Sequence, residues 1–299
     1  LRARLDDAKF FFENDRKKTL EGHRDDLTRI NYQEGLGDMR DKADRLQKLT
    51  AFIGKDWNFT DEEMKDADRA AFLSKSDLAT GMVTEFTELQ GEMGKEYALL
   101  DGEKPEVAQA IFEQYMPRFS GDILPKESIG RALSLADKLD NLSATFLRGL
   151  IPTGSQDPFA LRRQTIGAVN ILTDGKIHWD IRRGIAKALE LLPGEQEVKD
   201  KVLSQVEDFF RQRIRAILLD NGIAYDIIDA VLAGPVDDIY AIFLKAQAMT
   251  ESHLKEEADL RQAVTRLANI TKGKTGGKVD PALFEEDAEK NLEAALAKA

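Results

Sequence analysis

The sequence predicts an all-α protein, and three observations predict it. Apolar residues recur every three to four positions along almost the whole chain, the period of one helix face. Strand-like alternation is almost absent. The breaks between periodic segments carry glycine, proline or short polar turns, as in "YQEGLGD" and "LLPGEQ".

Taken in order, residues 1 to 30 place Leu1, Leu5, Ala8, Phe11 and Phe12, then Leu20 and Leu27, at helical spacing among charges. After "YQEGLGD", the residues Met39, Ala43, Leu46, Leu49 and Phe52 resume the pattern. Thr60, with Glu63 three residues on, is a capping-box pattern and predicts a long helix through "TDEEMKDADRAAFLSKSDLATGMVTEF". Pro105 suits the first turn of a helix that stops at Pro117. Ala132, Leu135, Ala136, Leu139 and Leu142 mark a core-facing stripe in "PKESIGRALSLADKLDNLSATFLRGL". Asp157 and Pro158 are the expected cap and first residue of the next helix. "GKIHWDIRRGIAKALELLPGEQ" continues as a helix up to Pro193 and Gly194, a breaker that divides the chain into two expected helical units, 1–195 and 196–299. The second holds four helical segments with short turns, the loop "KGKTGGKVD" and a last helix, as in a bundle. Nothing repeats at a fixed period, so a solenoid is not expected.

Composition narrows the function. With 299 residues, 42% hydrophobic and 32% charged, the chain can bury one large core or two of ordinary size. No run approaches the roughly 18 to 20 apolar residues of a membrane helix, and "LRARLDDAKFFF" lacks a signal peptide's apolar region and cleavage site. The expectation is a soluble, cytoplasmic protein without a membrane partner. Leu1 in place of an initiator methionine points to a fragment or a processed chain. The absence of cysteine removes disulfides, thiolate zinc sites and thiol nucleophiles, and His23, His178 and His253 are the whole supply of imidazole. A net charge of −11 argues against a generic polyanion binder. Any RNA contact has to be local.

Several constellations invite a functional reading. Asp137 and Asp140, three apart, and Asp77 in an apolar stretch fit magnesium-type carboxylate chemistry, but caps or pairs with Lys and Arg are the simpler account. Glu85 and Glu88 have no nucleophile or metal ligand beside them, which favours structure over acid–base work. "IPTGSQDPFALRRQTIG" lacks the nucleotide-loop pattern, while its Arg162 and Arg163 fit equally an RNA-backbone contact or a solvated face. In "DFFRQRIRAILLDNG", Arg211 and Arg215 share one helix face and Arg213 lies opposite, so two of the three can meet one partner. Lys272, Lys274 and Lys278 add charge to the glycine-rich loop. Solvated charge accounts for these basic residues at least as well as contact does.

Together, "LRARLDDAKFFFENDRKKTLE", "LGDMRDKADRLQKL", "LSKSDLATGMVTEFTELQGEMGKEYA", "ALSLADKLDNLSATFLRGLIPTGSQDPFALRRQTIGAVNIL" and "NGIAYDIIDAVLA" resemble the beta subunit of the bacterial heterotetrameric glycyl-tRNA synthetase. The tract from 133 to 172 is the most specific of these, and "VDPALFEEDAEKNLEAAL" fits as well. The resemblance implies an HD-type helical domain over 1–195, then an anticodon-binding bundle like that of arginyl-tRNA synthetase over 196–299, truncated at its end. It implies a tRNA-binding beta subunit of glycine–tRNA ligase that partners tRNA(Gly) and the alpha subunit in a heterotetramer of two alpha and two beta chains. ATP and magnesium would be used by the alpha subunit, with no cofactor, no metal and no catalytic residue in this chain. Ser155, Arg162, Arg163, Arg211, Arg215, Lys272 and Lys274 are the candidate tRNA contacts.

In phosphohydrolases of the HD fold, a histidine, a His-Asp doublet and a later Asp hold a divalent metal. Here Lys42 falls at the first histidine, Ser74 and Lys75 at the doublet, with Asp77 close by, and Asp137 at the last carboxylate. A protonated lysine cannot ligate a metal. The expectation is a degenerate site in which a lysine beside Asp137 supplies the charge a metal would have supplied. A metal-dependent phosphohydrolase and a helical protein-interaction scaffold are the alternatives.

Overall fold

Helix follows helix because most segments carry their own start signal. In this computed structural model the described residues are 2–154 and 156–251, with 265, 266, 269, 272, 280, 281, 284 and 286–296. The helices are α1 (Arg2–Asp15), α2 (Leu20–Arg24), α3 (Met39–Asp56), α4 (Asp61–Leu73), α5 (Gly81–Glu85), α6 (Glu92–Leu100) and α7 (Pro105–Glu113). They continue with α8 (Ser128–Leu147), α9 (Leu161–Asp174), α10 (Ile181–Glu190), α11 (Gln196–Asp220), α12 (Tyr225–Val231), α13 (Ile239–Glu251) and α14 (Asp287–Leu296). Among the described residues there is no strand, only isolated bridges such as Asn31 with Asp38, and no helix long and apolar enough to cross a membrane.

Thr60 and Glu63 form the reciprocal capping box of α4, Asp38 and Asp41 form one for α3, and Pro105 opens α7. Two sequence expectations are corrected. The long helix from Thr60 stops at Leu73: Lys75 takes a left-handed backbone (φ 66°), a 3₁₀ turn covers Ser76–Ala79, and Thr80 caps the short α5. The turn carries Asp77 inward, where the Gly91 N–H donates to it at 2.7 Å and the Tyr115 hydroxyl at 2.9 Å. Gly91 itself sits at φ +86° against the Tyr115 ring, a conformation and a closeness that favour glycine. The second correction concerns Pro158, which lies in a turn; α9 begins at Leu161 after a left-handed Ala160 (φ 52°). Asp157 still caps, because its carboxylate accepts from the N–H groups of Leu161 (2.8 Å) and Arg162 (2.9 Å) across that turn.

The chain divides into compact units Leu1–Thr250 and Glu251–Ala299. At the centre of the first lies α8, packed against α3, α4, α7, α9, α10 and α11. Its stripe Ala132, Leu135, Ala136, Leu139 and Leu142 is fully buried, but so are Leu133 and Ala144 on other faces. A helix covered on all sides has no solvent face for its polar residues. Asp137, Lys138 and Asp140 are therefore buried with the leucines, and each fully buried leucine contributes about 1.5–3 kcal/mol. The expected division near 195 falls inside this unit, where the turn at Pro193 and Gly194 leads into α11, which packs on α8, α9 and α10. Phe146 and Phe209 meet edge to face there, with ring centroids 5.3 Å apart. In the second unit α14 is described, while most of the glycine- and lysine-rich loop and of the helical segment before it lie outside the described residues.

Close packing of α10 on α8 yields a direct test. A Cβ at Gly184 would fall 2.2 Å from the Trp179 ring and 2.8 Å from Leu139 Cδ1. Trp179 is buried and its indole N–H donates to Asp56 at 2.9 Å, so the ring is not free to move away. Gly184→Ala is predicted to lower the urea-unfolding free energy by about 1–3 kcal/mol, overpacking outweighing the ~1 kcal/mol gain in helix propensity. A neutral or stabilised variant would contradict the packing described.

Candidate functional site

Two carboxylates three residues apart on α8 share one face, and two cations three residues apart on α3 face them. Lys42 reaches both: its Nζ lies 2.9 Å from Asp137 Oδ1 and 2.8 Å from Asp140 Oδ2, and it donates to Asn141 Oδ1 at 2.8 Å. Arg45 donates from Nε to Asp140 Oδ1 at 2.7 Å and from Nη2 to Oδ2 at 3.2 Å. The left-handed turn after α4 aims Lys75 at Asp137 Oδ2, 2.9 Å away. Lys42, Arg45, Lys75, Asp137 and Asp140 are all buried. Tyrosine faces complete the cage: the Lys42 amine lies 4.7 Å from the Tyr32 ring centroid and the Lys75 amine 4.0 Å from that of Tyr115.

Charge and burial compete here, and the winner differs from group to group. Burial alone would lower Lys42, but Asp137 and Asp140 outweigh it and hold the amine well above its ordinary range. Lys75 ends below its ordinary value, because burial and the Lys42 charge exceed the pull of Asp137. Burial would raise Asp137 and Asp140, yet the cations hold both carboxyls below the usual carboxylate range. Burial raises Asp77 and Tyr115, which share a hydrogen bond. Lys138 differs from its neighbours: buried and without a carboxylate partner of its own, it is pushed down to about 7.

Above this cluster opens a cleft of about 390 Å³. Asp137, Lys138 and Asn141 line it from α8, Arg163 and Gln164 from α9, and Gln90, Tyr115 and Arg118 from the remaining sides. Arg118 is engaged by Asp122 at 2.9 Å. Arg163 is exposed on the cleft wall.

The structure brings together Lys42, Lys75 and Asp137, and keeps Ser74 and Asp77 one step away. Ser74 is buried with its hydroxyl donating to the Ala71 carbonyl at 2.6 Å, and Asp77 holds Gly91 and Tyr115. The basic candidates lie apart. Arg162 donates to the Gly154 carbonyl at 2.7 Å. Arg211 donates to the carbonyls of Leu232 and Gly234 and lies beside Glu207, and Arg215 pairs with Asp229. Both thus tie α11 to α12 and the turn after it. Arg213, on the opposite face, is held below its ordinary value by burial and by the nearby charge of Arg162. Lys272 is exposed, and Ser155, Lys274 and Lys278 lie outside the described residues.

Arg45, Tyr115, Arg118 and Lys138 belong to the site without having been singled out by sequence. A signal for Arg45 was present: Lys42–Arg45 and Asp137–Asp140 have the same i,i+3 spacing and opposite charge, which is how two helices interlock. Among the described residues no group of three or more His, Cys, Asp or Glu converges as metal ligands do.

Fold and site thus define an all-helical protein whose central helix is clamped by buried ion pairs beneath an arginine-rimmed polar cleft. A family model described as glycyl-tRNA synthetase beta subunit matches residues 1–233, and the chain belongs to that family. It is 43% identical to the glycine–tRNA ligase beta subunit of Desulforamulus reducens over 302 residues, covering 100% of this chain and 44% of that protein. The beta subunit of Halothermothrix orenii is 45% identical, over 98% of this chain and 43% of its own length. That of Clostridioides difficile is 44% identical, over 98% and 42%. The chain therefore spans less than half the length of these relatives.

Asp140 tests the cluster through pH. A carboxyl held below its unfolded value contributes stability above the unfolded pKa of about 3.9, and the contribution is lost as pH falls through the lower folded value. At pH 7, Asp140→Asn is expected to cost about 3–5 kcal/mol in urea unfolding, because Lys42 and Arg45 lose a buried partner. At pH values near the folded carboxyl's own titration the gap between wild type and variant should shrink. A gap independent of pH would show that the charge is not what holds α3 to α8.

Proposed function

We propose that the chain is a tRNA-binding helical part of a glycine–tRNA ligase beta subunit, supporting ATP-dependent attachment of glycine to tRNA(Gly) catalysed with the alpha subunit. The observation that carries this reading is similarity to glycine–tRNA ligase beta subunits along 98–100% of the chain at 43–45% identity. The partners would be tRNA(Gly) and the alpha subunit, in a heterotetramer of two alpha and two beta chains. ATP and magnesium would act on the alpha subunit, in the cytoplasm.

In this reading residues 1–195 are an HD-type domain and 196–299 part of an anticodon-binding bundle. Lys42, Ser74, Lys75 and Asp137 stand where an HD phosphohydrolase holds its metal. Two ammonium groups within 2.9 Å of Asp137 supply the positive charge that a divalent ion supplies elsewhere, and neither is a metal ligand while protonated. Those amines favour binding over metal-dependent hydrolysis. A scaffold role through the acidic surface is compatible with the same fold, and the RNA test separates the two.

RNA contact on a chain of net charge −11 has to come from local cations free to meet phosphate. Arg163 is the strongest of the candidates, being exposed on a cleft wall, whereas Arg211 and Arg215 are already engaged within the fold. Arg163→Ala is predicted to weaken binding of tRNA(Gly), read by fluorescence anisotropy at low salt, by about three- to tenfold, and to reduce the salt slope by about one. Arg215→Ala should leave the affinity within about twofold. No binding of tRNA by the wild-type chain even at low salt would overturn the proposal.

A further inference from the structure

The cleft holds one buried group that RNA binding does not use. The Lys138 amine donates to the Met116 carbonyl at 2.6 Å and to Ser134 Oγ at 2.7 Å, both neutral acceptors. Ser134 in turn donates its proton to the same carbonyl. Two acceptors match the two hydrogens of an uncharged amine and leave its lone pair unused.

Charge counting over the cluster gives the same answer. Lys42, Arg45 and Lys75 are buried basic groups gathered on the buried carboxyls of Asp137 and Asp140. Both carboxyls are already taken by those three groups, so a fourth buried cation at Lys138 would lack a counter-charge of its own. From the elements around it, the charged groups are Asp137 beside it on α8, Lys42 on α3, Lys75 and Asp77 in the turn after α4, and Arg118, Glu88 and Arg163 around the cleft. Tyr115, raised by burial, lines the same cleft as a neutral phenol. Close packing holds the stem in place: a Cβ at Gly167 would come 2.8 Å from Lys138 Cε and 3.1 Å from Pro117 Cγ.

We propose that Lys138 is a nucleophilic amine at the floor of the cleft, and that the cleft takes a small aldehyde bearing a phosphate or carboxylate, whose anionic group meets Arg163. The nitrogen lone pair attacks the carbonyl carbon to form a carbinolamine. Of the two nitrogen protons, one passes to the carbonyl oxygen as the carbinolamine forms and the other is lost as it dehydrates; both leave with that oxygen as water, and a C=N bond remains. No oxidant or reductant enters. An amine desolvated among other cations is suited to this chemistry. Its lowering to about 7 agrees with the geometry. The site shares Arg163 with the tRNA reading but does not require it, and its test contains no RNA.

The test uses the 299-residue chain with pyridoxal 5′-phosphate as the anionic aldehyde and propionaldehyde as the neutral one, each trapped by borohydride and mapped by peptide mass. At pH 7.5, Lys138 is expected to label at least about tenfold faster than exposed Lys176. Its rate should level off above about pH 8. Arg163→Ala should slow labelling of Lys138 by the phosphate-bearing aldehyde at least about fivefold and leave that by propionaldehyde within about twofold. Lys138 untouched while Lys176 reacts would overturn the proposal, as would an Arg163→Ala variant in which both aldehydes respond alike.

Discussion

Everything in the first unit is arranged around two carboxylates that α8 cannot expose. Asp137 and Asp140 sit on a helix wrapped by six others, so each is either neutralised or a cost of several kcal/mol. Lys42, Arg45 and Lys75 answer that demand from two separate segments. The requirement propagates outward. For Lys75 to reach Asp137 the chain abandons the α-helix at Ser74 and turns through a left-handed residue, and Asp77 then anchors the turn to Gly91 and Tyr115. The electrostatics of one helix thus set the backbone path of another segment.

The same arrangement produces the cleft. Neutralising the carboxylates with amines leaves polar groups along the middle of α8 where the cleft meets it, and α9 lines another side with Arg163 and Gln164. Such a floor is polar but nearly neutral, and the exposed positive charge stands on the wall, not in the centre. That distribution suits an anionic ligand anchored from the rim. On a chain as acidic as this one it is also how a local cation keeps its effect.

Much of this was legible in the sequence, and the part that was not has a physical reason. The all-α class, the capping box of α4 and the core stripe of α8 follow from local pattern, because caps and periodicity are short-range. On α8 the stripe marked one core face, and pairing with Lys or Arg was the simpler account of Asp137 and Asp140. Periodicity is silent about the other faces that neighbouring helices cover, so neither Lys138 nor the particular pairing of Asp140 with Arg45 could be read from it. The long helix expected after Thr60 failed, since no local signal at Lys75 announces a left-handed turn whose cause is Asp137, 62 positions later. Pro158 misled for a simpler reason. Its role as a first helical residue is common, but here Asp157 reaches past it to cap N–H groups four and five residues on. As for Arg211 and Arg215, spacing placed them on one face, and only the fold shows that this face meets the carbonyls and the aspartate around α12.

The central claim is that buried charge pairing, and not merely the packing of the side chains concerned, joins the turn after α4 to α8. A double-mutant cycle on Lys75→Met and Asp137→Leu, followed by urea unfolding at pH 7, isolates that pairing. The account predicts that the double variant is more stable than the sum of the two single losses by about 1–3 kcal/mol, because each single change strands a buried partner. Losses that add to within about 0.5 kcal/mol would contradict it.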